Sequence, residues 1–165
     1  MEDYENGNDN GESVDGLGSM DFDVDSEYKP EPLIPNGSYV GTVTGVKFDS
    51  KNSCIVWDVA LQGNGGYASD GETEVDGMVV NFRNWLPKTG DENEYSKNGR
   101  TTKRQSKINM LKKFADKLGI DMGSPQKIAE AIQYQNWIGL EVRCDISISE
   151  YKGETRNEVG KMAAA

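Results

Sequence analysis

The chain reads as mainly β with a helical insert, an α+β fold. The expected architecture is a small five-stranded barrel with two helices between strand 3 and strand 4, behind a disordered acidic N-terminal tail. Three observations predict it. Stretches rich in β-branched and aromatic residues, bounded by turn residues, lie on both sides of one helical block. That block carries apolar residues at three- and four-residue spacing. The first 28 residues hold ten acids and no base.

The tail, residues 1–29, has too little apolar surface to offset the entropy of ordering. Without residues 1–28 the rest of the chain is balanced, at 18 bases and 18 acids, so the overall charge of −10 belongs to the tail. The alternating Met20, Phe22 and Val24 form a patch able to dock on the domain or on a partner. Pro30, Pro32 and Pro35 stiffen a linker into the domain, residues 30–165.

After the Asn36-Gly37 turn, residues 38–48 read as the first strand; Gly41 and Gly45 inside it mark bends or close backbone approach. A turn at 49–52 leads to a second strand at 54–61, with Ile55, Trp57 and Val59 on one face. Residues 62–77 form a Gly-rich acidic loop, and 78–86 the third strand. Ile108, Leu111, Ala115 and Leu118 predict a helix over 103–118, with Gly119 closing it. Ser124-Pro125 starts a second helix running to about 135. Leu140, Val142, Cys144, Ile146 and Ile148 alternate with polar residues in a half-buried strand. A turn over 150–155 leads to a return strand over 156–162; residues 163–165 carry no signal. A known barrel of this size is the oligonucleotide-binding (OB) barrel.

Composition excludes several chemistries. There is no histidine, which removes His acid–base catalysis and His-containing zinc sites. Cys54 and Cys144 read as buried thiols and are too few for an all-cysteine zinc site. Gly63-Asn64-Gly65-Gly66 lacks the Lys-Ser/Thr of a phosphate loop. No apolar run approaches bilayer length, and the acidic N-terminus lacks the order of a signal peptide, so a cytoplasmic location is expected. Asp70, Glu72, Glu74 and Asp76 would have to supply any metal-dependent nuclease; in a Gly-rich loop they read as solvated acids. The expectation is no enzyme, no cofactor and no metal.

From residue 96 to 119 the chain carries eight bases against one acid. Beside the Phe82- and Trp85-bearing strand, such a helix suits a phosphate backbone and unstacked bases. The phosphate candidates are Arg83, Lys97, Arg100, Lys103, Arg104, Lys107, Lys112 and Lys113. The stacking candidates are Trp85, Phe82 and Tyr39, with Tyr95 and Tyr151 weaker. Phe82 and Trp85 differ in strand parity, so at most one faces a groove. The same charge run also fits the solvated face of an ordinary amphipathic helix.

Pro35-Asn36-Gly37-Ser38-Tyr39, Trp85-Leu86, Leu111-Lys112-Lys113-Phe114, Trp137-Ile138-Gly139 and the ending from Tyr151-Lys152-Gly153 to Arg156-Asn157-Glu158-Val159 follow one another in a suggestive order. Over about residues 32–161 the chain resembles a phage protein family of unknown function, encoded among replication and recombination genes. The resemblance implies an OB-like fold and sequence-tolerant single-stranded DNA binding, in service of DNA replication or recombination. By analogy with single-strand binding proteins, the tail would recruit replication or recombination proteins or compete with DNA. The alternative is an acidic-tailed adaptor or inhibitor of a nucleic-acid-processing complex. An unpaired strand edge is a route to homo-oligomers.

Overall fold

The computed structural model describes residues 13–165, which divide between Glu31 and Pro32 into two units. In the first, a 3-10 turn at Leu17–Ser19 precedes α1, Val24–Glu27. The Asp23 carboxylate accepts the Asp25 and Ser26 amides, and the Glu27 carboxylate accepts the Asp23 amide at 2.6 Å. This reciprocal capping satisfies the amides that a helix start leaves unpaired. The expectation for residues 1–12 lies outside the described residues. Every described residue of this unit is exposed.

The second unit is built on a five-stranded antiparallel sheet in the order β3-β2-β1-β4-β5. The strands are β1 Gly37–Asp49, β2 Cys54–Leu61, β3 Val79–Trp85, β4 Glu141–Tyr151 and β5 Glu154–Ala164. The expected closed barrel is not formed by hydrogen bonds: β3 and β5 are the sheet edges. Their Cα atoms nevertheless come within 8 Å of each other.

The long β1 organises the sheet, pairing with β4 along its first half and with β2 along its second. Gly41 lies where both ladders meet. A Cβ there would sit 2.6 Å from the Ala60 carbonyl oxygen and 2.7 Å from Val59 Cγ1. A bulge between Val43 and Gly45 then shifts the alternation of β1 by one residue.

Between β3 and β4 lie the two expected helices. α2, Lys103–Leu118, starts at Thr102, whose hydroxyl accepts the Gln105 amide, and ends at Gly119 with φ 77°. α3, Pro125–Gln133, starts at Ser124 and stops short of 135, where Gln135 turns to φ 55°. Buried Trp57 joins the layers: Trp137 stacks on it at 5.2 Å, and Phe114 of α2 meets it edge-on at 5.4 Å. The Trp57 indole N–H donates to buried Asn84 at 2.6 Å, so its polar atom is paired inside the core.

β5 runs two residues past its expected end. Ala163 and Ala164 pair with Arg143 and Val142, and backbone pairing needs no side-chain signal. The β4–β5 turn is the two-residue Lys152-Gly153, both at positive φ, as a type I′ hairpin demands. Cys54 and Cys144 are buried and unpaired, on β2 and β4, with β1 between those strands. Burial, aided by the Asp145 charge, pushes the Cys144 thiol up to about 11. Among the described residues no helix is long and apolar enough to cross a membrane.

Candidate nucleic-acid interface

Side chains alternate across a strand, so the register of β1, β2 and β3 dictates what their outer face presents. Asp49, Cys54 and Trp85 form one cross-strand row. Lys47, Val56 and Arg83 form the next, and Gly45, Asp58 and Asn81 the one after. Trp85 is 50% exposed, whereas Val56, flanked by Lys47 and Arg83, is only 4% exposed. Long basic side chains commonly cover such a residue with their aliphatic stems while their charges stay in water.

The acids of this face are engaged locally. Asp58 accepts a hydrogen bond from the Asn81 amide group. The Asp49 carboxyl is held below the usual carboxylate range, chiefly by hydrogen bonds from Asn52, with the Arg83 charge a minor contributor. An aromatic face and two cations therefore stand beside one another on a rigid sheet.

The strand then leads to a second cluster. A niche of about 530 Å³ is lined by Pro87, Lys88, Thr89, Glu92 and Arg104. It places Lys88, just beyond β3, beside Arg104 on the first turn of α2.

The remaining candidates are dispersed. Phe82 points inward and stacks on Phe114 at 5.4 Å. Tyr39 is half-buried against the core near the other end of β1, and its hydroxyl donates to the Pro35 carbonyl at 2.6 Å. Lys103 pairs with Glu94 at 2.7 Å and Lys112 with Asp116 at 3.0 Å. Lys107 pairs at 2.7 Å with Asp91, whose carboxylate is 4% exposed. Among the described residues, Lys97, Arg100, Arg104 and Lys113 form no ion pair. Lys113 lies nine positions from Arg104, half a revolution around the helix. Lys97 and Arg100 sit on a turn closed by the Ser96 amide on Thr101 and by Asn98, which accepts the Arg100 and Thr101 amides. Tyr151, at the β4–β5 turn, carries the Lys152 ammonium at 5.3 Å and the Arg156 guanidinium at 4.8 Å over its ring.

Sequence reading missed Lys47 and Lys88. Counting back from the 49–52 turn would have placed Lys47 opposite Val56, whereas counting forward from Ser38 fails at the bulge. The acidic loop is folded on hydrogen bonds to two of its own carboxylates. Asp70 accepts the Glu72 and Thr73 amides, and Asp76 accepts those of Asn64 and Gly65. The Asp70 carboxyl is held below its usual range first by the Thr73 hydroxyl, which donates to it at 2.6 Å, and then by the Thr73 and Glu72 amides, and that of Asp76 by the Gly65 and Asn64 amides. Among the described residues no group of three His, Cys, Asp or Glu is placed to hold a metal ion.

No protein-family model matches the chain, and no curated protein matches it.

Proposed function

We propose that this protein binds single-stranded DNA, without strong sequence preference, on the outer face of β1, β2 and β3. The observation that carries the reading is the Lys47–Val56–Arg83 row beside exposed Trp85. A base stacks on the indole face, and the two cations take the flanking phosphates. Lys88 and Arg104 extend the phosphate track from the sheet toward α2. Lys107, held by Asp91, positions α2 against the loop that carries Lys88.

The strand order and the close approach of β3 and β5 support an OB-like, partly open barrel, whose second and third strands form a usual ligand face. Service in phage-type DNA replication or recombination, in a host cytoplasm, follows from the family resemblance. The adaptor reading draws support from the ion pairs of Lys103, Lys107 and Lys112, which leave α2 less available to phosphate.

Anisotropy of a labelled single-stranded oligonucleotide, with duplex competitor across a salt series, tests the reading. Single-strand-selective binding with a steep negative salt slope is expected. No binding at low salt overturns it.

A further inference from the structure

Between α2 and α3 lies an open groove of about 1150 Å³. Phe48, Leu86, Ile108, Leu111, Ile128 and Ile132 supply much of its wall. Small-ligand sites typically hold about 300–1,000 Å³, so this groove suits a stretch of polymer better than one compact molecule. Phe48 has the inward parity of β1, opposite Ile55, yet is 55% exposed. An aromatic side chain left half in water on an apolar cleft marks a docking surface.

The groove adjoins the face that carries Trp85. Ile55 pairs with both Phe48 and Asn84, and Asn84 precedes Trp85. Phe48 and Trp85 therefore stand at one end of the sheet, on its two faces. From Trp85 the chain runs directly into the groove wall at Leu86 and Pro87. Pro87 and Arg104 line both the groove and the niche that holds Lys88. Arg104 thus stands where the phosphate track meets the apolar walls.

The charge of the two helices fits a polyanion. Residues 103–133 carry seven bases against three acids. The acid in the wall, Asp121, is occupied: it pairs with Lys127 at 2.9 Å and accepts the Gly123 amide. Lys112 is taken by Asp116, whereas Arg104 forms no ion pair among the described residues. Apart from Phe48 the apolar wall is aliphatic, with few hydrogen-bonding groups. Such a wall covers the faces of an unstacked base and reads little of its edge, which suits binding without sequence preference. A duplex, with its bases turned inward, has nothing to place there.

We propose that a single strand leaving Trp85 crosses the rim at Pro87 and Arg104 and lays its next bases in the α2–α3 groove against Phe48. Arg104 holds a phosphate at the crossing. The proposal rests on the single-strand reading, and a length series separates the two. Labelled oligothymidylates of about 4 to 16 nucleotides, the range of site sizes of OB folds, are titrated by anisotropy. Wild-type affinity should rise with length to a plateau. Phe48→Ala and Ala129→Glu, both on exposed positions of the wall, should keep the wild-type melting temperature and bind the shortest oligomers as wild type does. They should bind the longest about tenfold more weakly, the scale of a lost base contact. Phe48→Ala should leave the salt slope unchanged, because it removes no cation. Variants that match wild type at every length overturn the groove path, leave the Trp85 face standing and turn the groove over to a protein segment. A uniform loss at every length overturns it as well. A wild type that binds no oligomer overturns the single-strand reading itself, and the groove path with it.

Discussion

Lys107 Nζ lies 2.7 Å from Asp91 Oδ2, which also accepts the Lys88 amide at 2.9 Å. The pair clamps α2 to the loop after β3. The Asp91 carboxyl is held below the usual carboxylate range, first by the hydrogen bond from Lys107 and then by that from Lys88. A lowered carboxyl stabilises the fold above the unfolded-state pKa, and that stabilisation is lost as pH falls through the folded-state value. Melting temperature should therefore fall on acidification below the ordinary aspartate range, with Asp91 contributing. Asp91→Asn should melt lower than wild type at pH 7 and show a shallower acid decline. Equal acid slopes in the two proteins would refute this role.

Trp85 and Trp57 separate binding from folding. Trp85→Ala removes a half-exposed ring and should leave the melting temperature nearly unchanged. Its binding to single-stranded oligonucleotide should weaken by about 1–3 kcal/mol, the loss expected for one stacked base. Trp57→Ala empties the centre of the core and should cost about 3–5 kcal/mol of stability. Paired denaturant and anisotropy titrations read both effects. Unchanged affinity in Trp85→Ala would remove the stacking platform from the reading.

Lys47 and Arg83 make a separable electrostatic prediction. Each cation that neutralises a phosphate contributes about 0.7 to the slope of log K against log salt for a single strand. Lys47→Gln and Arg83→Gln should each flatten the slope by roughly that amount. Lys113→Gln, on the far side of α2 from Arg104, should change it least. A Lys113 effect equal to that of Arg83 would move the phosphate track to the outer face of α2.

The elements were legible because their signals are local. The Ser124 start, the closing Gly119 and the alternation from Leu140 to Ile148 each act within a few residues. Trp57 was readable as core because its neighbours on one parity are apolar. The candidate site was less legible because it depends on pairing across the sheet. The helix's density of lysine suggested a phosphate surface, but Glu94, Asp91 and Asp116 neutralise three of those lysines, two of them across turns that sequence does not place. Lys47 was hidden by the bulge that resets the parity of β1. Ala163 and Ala164 were hidden because their strand pairing is purely backbone.

Gly41 tests the packing where the two halves of the sheet meet. Its backbone φ is ordinary, so the need for glycine is steric rather than conformational. The obstacle to a methyl group is the Ala60 carbonyl at 2.6 Å and Val59 Cγ1 at 2.7 Å. Backbone yields less readily than a flexible side chain, and Ala60 is held by its pairing with Thr42 and Val79. Gly41→Ala should therefore destabilise by about 1–3 kcal/mol or more through overpacking. Gly160→Ala, on β5, meets nothing within 4 Å and should change stability little. Chemical denaturation of the two variants compares them directly. A Gly41→Ala protein as stable as Gly160→Ala would mean that β1 and β2 separate at this point without cost.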